Sequence, residues 1–262
     1  MEQPKNNLKI VSEKKNARML LPNMLTLIGV CIGLTSIRFA LDGKFEFAII
    51  AIIFAALIDG LDGRIARLIK GTSKVGKELD SLTDMISFGV APAFIMYFWK
   101  LNTLGRFGWL ICLVYVICVA LRLARFNVNS NQDPSWRDNF FEGVPSPAGG
   151  ILVLTPLIIS LSGFDYIQLN YEIITPIFFI VTSFLLISKF PSYSFKKIVI
   201  QRKATIFLLF GIVLFFGLLL IYTFEVIAIS SMIYLSLLPI SFFHYQNIKK
   251  NNENDKIQDD ED

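Results

Sequence analysis

The chain has 262 residues, 54% of them hydrophobic and 18% charged, with 24 phenylalanines and a formal net charge of +4. That composition excludes an ordinary soluble domain and indicates an integral membrane protein, with no nucleic-acid partner expected. One histidine, His244, makes a His-dependent triad or a His-rich metal site untenable, so acid–base chemistry falls to carboxylates, Lys, Tyr or water.

Residues 1–19 are polar and carry five Lys/Arg, and they read as a cytoplasmic N-terminus rather than a cleaved leader. A first span is predicted over about 20–41, with Pro22 in its first turn, where a missing N–H is harmless. Asn23 and Thr26 share a face of that turn. Further spans are predicted over 45–67, 77–99, 107–125, 148–162, 173–188, 204–223 and 226–243, the last two as a tight hairpin. The expected fold is thus an all-α polytopic bundle of about eight transmembrane helices, with one membrane domain over 20–245. Residues 246–262 are polar, end in Asp-Asp-Glu-Asp and are expected to be a disordered cytoplasmic tail. Cys31, Cys112 and Cys118 all lie in apolar runs without metal spacing and read as packing residues. Eight crossings put both termini on one side. The opposite ends then hold only Arg38, Lys44, Lys100 and Arg106, against 21 of the 25 Lys/Arg on the side of the termini. By the positive-inside rule that side is cytoplasmic.

The informative stretch is Asp59-Gly-Leu-Asp62-Gly63-Arg-Ile-Ala66-Arg67, followed by Gly76, Asp80 and Asp84. Asp59 and Asp62 are three apart and Asp80 and Asp84 four apart, so each pair shares a helix face. A turn between the helices brings the faces together. Four negative charges in one place demand a cation between them, and an all-oxygen site suits Mg²⁺, Mn²⁺ or Ca²⁺. The apolar runs flanking the stretch are each too short to span alone, which places the carboxylates just inside the cytoplasmic face.

The pattern Asp-x2-Asp-Gly-x2-Ala-Arg-x8-Gly-x3-Asp-x3-Asp resembles, at every position, the signature of the CDP-alcohol phosphatidyltransferase family. Arg122-Leu-Ala-Arg125-Phe-Asn127, Gly143-Val-Pro-Ser-Pro147 and Phe190-Pro-Ser-x-Ser-Phe-Lys196 are similar to the phosphatidylserine synthase branch of prokaryotes. The resemblance implies an inner-membrane enzyme with its site facing the cytoplasm. It would move phosphatidyl from CDP-diacylglycerol to L-serine, releasing CMP, and work as a homodimer among membrane lipids. In that reading Asp59, Asp62, Asp80 and Asp84 hold one or two divalent ions. Asn23 and Thr26 lie beside the nucleotide, Gly63 and Gly76 let it approach the backbone, Ala66 keeps the same face small, and Arg67 meets a phosphate. Asp84, next to the apolar run, is the candidate base for the serine hydroxyl. Arg122, Arg125 and Lys189 are candidates for the serine carboxylate. Glycerol 3-phosphate or inositol phosphate as acceptor is an alternative within the family. Outside it stand a cation transporter with intramembrane carboxylates and a membrane scaffold. The transporter leaves the fixed glycines and Ala-Arg unexplained, and the scaffold leaves the carboxylates unexplained as well.

Overall fold

Small residues decide how the first helices pack. A computed structural model describes residues 13–68, 74–129, 140–163, 170–188, 191–193 and 202–259. Helix α1 (Glu13–Leu41) buries Gly29, Gly33, Ser36 and Ala40, one stripe at helical spacing, against its neighbours. A stripe of this kind lets helix backbones approach closely where apolar burial between helices gives little drive in lipid. A three-residue link, with Gly43 at φ 73°, turns the chain into α2 (Phe45–Leu68), which packs along α1 more extensively than any other helix pair. Ala48, Ile52 and Ala55 are buried on one face of α2, and Asp59 and Asp62 continue that face at steps of four and three. The carboxylates therefore sit where the packing stripe runs out.

The third crossing is composite. Helix α3 (Lys74–Asp84) passes directly into a π turn over Met85–Val90 and then into α4 (Ala91–Trp99). Pro92 supplies the local reason. It has no N–H to offer the Phe88 carbonyl four residues earlier, and its ring crowds that carbonyl. The backbone takes wider bonds instead, with Ala91 N–H donating to Ile86 O, five residues back. A 3₁₀ turn at Leu101–Leu104 leads into α5 (Arg106–Asn129). Strand β1 (Phe140–Glu142) precedes α6 (Ser146–Leu161), and α7 (Tyr171–Ile187) precedes strand β2 (Pro191–Tyr193). The strands pair antiparallel, Phe141 opposite Ser192. Last come α8 (Arg202–Ile221) and α9 (Thr223–Asp259).

Counting α3, the π turn and α4 as one, the described residues form eight helical segments, as the hydropathy pattern predicts. Four carry stretches long and apolar enough to cross a membrane: Leu21–Leu41, Val75–Trp99, Arg106–Val128 and Thr223–Gln246. The apolar helices Ser146–Leu161, Tyr171–Ile187 and Thr205–Ile221 are shorter, below the ~20 residues a straight span needs. The protein is a polytopic helical membrane protein. Its deepest side chains, Phe88, Tyr115, Leu154, Leu157 and Phe179, gather where the π turn, α5, α6 and α7 meet. Helix α8 packs on α9 and is apolar and exposed along almost its whole length, as a lipid-facing helix must be.

Three expectations need correction. Helix α1 begins at Glu13, so Pro22 is inside the helix and not in its first turn. The tail expected to be disordered from 246 continues α9 as helix to Asp259. Its Glu, Lys and Gln are good helix formers, and extending an existing helix avoids the cost of a new nucleus. The two-stranded ribbon was not predicted. Three-residue strands are too short to show an alternating pattern, and their pairing joins segments some 50 residues apart.

Candidate active site

Helix α2 supplies Asp59 and Asp62, and α3 supplies Asp80 and Asp84, as the spacing predicts. One oxygen from each of Asp59, Asp62 and Asp80 lies within 4.8 Å of the others. Oxygens on opposite sides of a hard divalent ion, each at ~2.0–2.6 Å, stand about 4–5 Å apart. The three carboxylates therefore fit one ion's coordination sphere, and like charges this close are relieved by a cation or by protonation. Asp84 adjoins them through Asp59, whose carboxyl is within hydrogen-bonding reach of its own. Two carboxyl groups make that contact only with a proton or a cation between them. Asp84 Oδ1 is buried and has no hydrogen-bond partner among the described residues.

Neighbouring elements hold the two helices in place. Thr26 on α1 is buried, and its Oγ1 lies 2.8 Å from Asp62 Oδ2 and 2.9 Å from Pro22 O. Thr83, also buried, donates to Leu79 O at 2.9 Å and faces Thr26 O at 3.5 Å, fixing α3 against α1. From α5, Asn127 Nδ2 donates to Ser81 Oγ at 2.9 Å, and the Asn127 backbone carbonyl accepts from Lys77 Nζ at 3.3 Å. Both contacts follow from α5 running on to Asn129, beyond the predicted end of its span.

The cationic side comes from the same helix. Arg122 is buried, donates through Nη1 to Ser146 Oγ, and lies within electrostatic reach of Asp84 and Tyr234. Its Nε is buried without a partner among the described residues. Ser146 is the first residue of α6, so the guanidinium stands at a helix N-terminus, where backbone N–H groups favour an anion. Arg125 has a different task. Its Nη2 donates to Leu186 O at 3.1 Å, capping the C-terminal end of α7.

The remaining predicted residues divide as follows. Gly63 is exposed, and a Cβ added there would meet nothing within 4 Å among the described residues, which leave the space beside it open. Gly76 is the third residue of α3, and Asn23 is a half-buried residue of α1 three before Thr26. Ala66 and Arg67 are in the last turn of α2, but their side chains, like the whole of Lys189, lie outside the described residues. Sequence reasoning missed Ser146, Ser81 and Tyr234 as neighbours of the site. Ser146 stood in the noted Gly-Val-Pro-Ser-Pro stretch, where it read as a helix start. No local signal marked the other two.

A family model described as CDP-alcohol phosphatidyltransferase matches residues 19–185. The chain belongs to the CDP-alcohol phosphatidyltransferase family. The matched region runs from within α1 to the last turn of α7 and includes all four aspartates, Arg122 and Ser146. Among similar proteins, the CDP-diacylglycerol--serine O-phosphatidyltransferase of Mycobacterium leprae (strain TN) is 46% identical over 144 residues, 54% of this chain and 48% of the relative. That of Helicobacter pylori (strain ATCC 700392 / 26695) is 35% identical over 201 residues, 77% and 83% of the two chains. That of Bacillus subtilis (strain 168) is 33% identical over 177 residues, 68% and 92%. The chain spans about half the length of the mycobacterial relatives it matches.

Proposed function

We propose that this chain transfers phosphatidyl from CDP-diacylglycerol to L-serine, giving phosphatidylserine and CMP, at the cytoplasmic face of a prokaryotic inner membrane. The observation that carries this reading is the meeting of the aspartates of α2 and α3 with the buried Arg122 at the start of α6. It agrees with the name shared by the relatives. Asp59, Asp62 and Asp80 hold a divalent cation, Mg²⁺ or Mn²⁺. When bound, it neutralises charge at the diphosphate as the bond to CMP breaks. Asn23, Gly63, Gly76, Ala66 and Arg67 form the nucleotide side, with the open space beside Gly63 for close backbone approach. Thr26 serves that side by orienting Asp62.

Asp84 takes the proton of the serine hydroxyl as its oxygen attacks phosphorus. Its unpartnered Oδ1, buried toward the core, suits a base screened from competing water. Among the three basic candidates, Arg122 best fits the serine carboxylate. Its Nε has no partner among the described residues, and the α6 N-terminus adds positive potential. Arg125 is occupied at α7. A second copy of the chain completes a homodimer in the lipid bilayer.

The test is CMP release from CDP-diacylglycerol by the purified protein in detergent, with serine, glycerol 3-phosphate or inositol phosphate as acceptor, before and after chelation. Serine-dependent, chelator-sensitive release is expected. Release only with a phosphorylated acceptor would move the chain to another branch of the family. Metal flux without any CMP release would replace the enzyme reading by a transporter.

A further inference from the structure

Within the π turn, the Phe88 carbonyl lacks an α-helical donor because residue 92 is proline. A donor reaches it from another helix: Tyr115 Oη donates to Phe88 O at 2.6 Å. Tyr115 is fully buried, its ring meets Phe179 edge-on at 5.3 Å, and this is the phenol's one hydrogen bond among those described. The turn is gripped on its other sides as well. A Cβ on Gly33 of α1 would stand 2.5 Å from Ser87 Oγ, and one on Gly150 of α6 would stand 3.2 Å from Phe88 Cα and 3.3 Å from Phe88 O. Phe88 itself is fully buried. Asp84 is the residue immediately before this turn.

A π turn inserts one residue, and one residue is about 100° of helix rotation. Its place in the chain therefore sets the direction in which the preceding carboxylate points relative to the core. Tyr115, Val119 and Arg122 share one face of α5, so the helix that grips the turn also carries the cation beside Asp84. We propose that Tyr115 is a positioning residue. By holding the Phe88 carbonyl it keeps the π turn in place, and through it keeps Asp84 oriented toward the acceptor and Arg122. Pro92 and Tyr115 act as two halves of one device: the proline displaces the carbonyl from the α-helical ladder, and the phenol receives it. This inference rests on the reading of Asp84 as the base.

The test uses Tyr115→Phe, which keeps the ring and removes only the hydroxyl, measured alone and together with Asp84→Asn. The expected result is a fall in kcat of about tenfold, with KM for CDP-diacylglycerol within twofold, and no further fall when Tyr115→Phe is added to Asp84→Asn. An equal fall in both backgrounds, or an unchanged kcat, would overturn the inference while leaving Asp84 as the base. Full activity in Asp84→Asn would overturn the reading of Asp84 and this inference with it. Should Tyr115→Phe fail to fold, Pro92→Ala decides. It returns an α-helical donor to Phe88 O, so kcat should drop in a protein whose Tm is unchanged or raised. A stable Pro92→Ala protein with full kcat would refute the device.

Discussion

Asp62 is 3% exposed near the C-terminal end of α2 in a membrane protein. An ionised carboxylate near the middle of a span costs ~2.5–3.5 kcal/mol on insertion scales and less toward the interface. Asp62 keeps company with Asp59 and Asp80 within 4.8 Å, so a cation is the physical condition for all three being charged. Asp84 stands apart from that set, one turn beyond Asp80, and this difference predicts different behaviour on substitution. Asp59→Asn should weaken metal binding, and excess Mn²⁺ should restore part of the rate of CMP release. Asp84→Asn should lose about 10²–10⁴-fold, the usual scale for a general base, and stay low at any Mn²⁺ concentration. Equal rescue of both variants would make Asp84 a ligand only. Arg122→Lys keeps the charge but not the planar fork. It should raise KM for serine at least tenfold while leaving KM for CDP-diacylglycerol within twofold, as read from initial rates with each substrate varied in turn.

At the scale of elements, glycines in similar helical surroundings have opposite tasks. On α1, Gly33 faces Ser87 so closely that a Cβ would stand 2.5 Å from its Oγ and 3.1 Å from its Cα. Gly33→Ala should therefore lower Tm, with an overpacking cost of ~1–3 kcal/mol. On α2, a Cβ at Gly63 would meet nothing within 4 Å among the described residues. Gly63→Ala should be neutral or stabilising by up to ~1 kcal/mol, since alanine is the better helix former. Yet it should raise KM for CDP-diacylglycerol, because the proposed nucleotide needs that open space. A Gly63→Ala protein with unchanged KM would remove Gly63 from the nucleotide side. The β1–β2 ribbon belongs to this scale as well. It ties the segment before α6, which leads into Ser146 at the start of that helix, to the segment after α7. The helix that presents Ser146 to Arg122 is thereby anchored at the same end of the molecule as the aspartates.

For the whole molecule, the asymmetry of Lys and Arg is the strongest guide to orientation. Single cysteines at Lys74 and Gly163 in a cysteine-free background should label from opposite sides of sealed vesicles. Labelling of both from the same side would defeat the eight-span topology and the cytoplasmic placement of the site. The helical extension of α9 to Asp259 carries polar residues well beyond its apolar stretch, which ends at Gln246. Removing the residues after Asn251 should leave CMP release within a few-fold at normal expression. A larger loss would assign the acidic end a role in the enzyme.

The sequence alone determined the class of the molecule, its helical segments and the four aspartates, because hydropathy, helical periodicity and carboxylate spacing are all local properties. Thr26 and Gly63 were singled out through the family resemblance, and what Thr26 touches was not legible. The tertiary structure decided everything that depends on separate helices meeting. It gave Arg122 to Ser146 and the neighbourhood of Asp84, and Arg125 to the end of α7, although the two arginines share a helix face in sequence. It also brought Tyr115 to Phe88, 27 residues away, where a proline had removed the local donor. A hydrogen bond of that kind leaves no periodic trace, because its donor and acceptor lie on different helices and only packing brings them together.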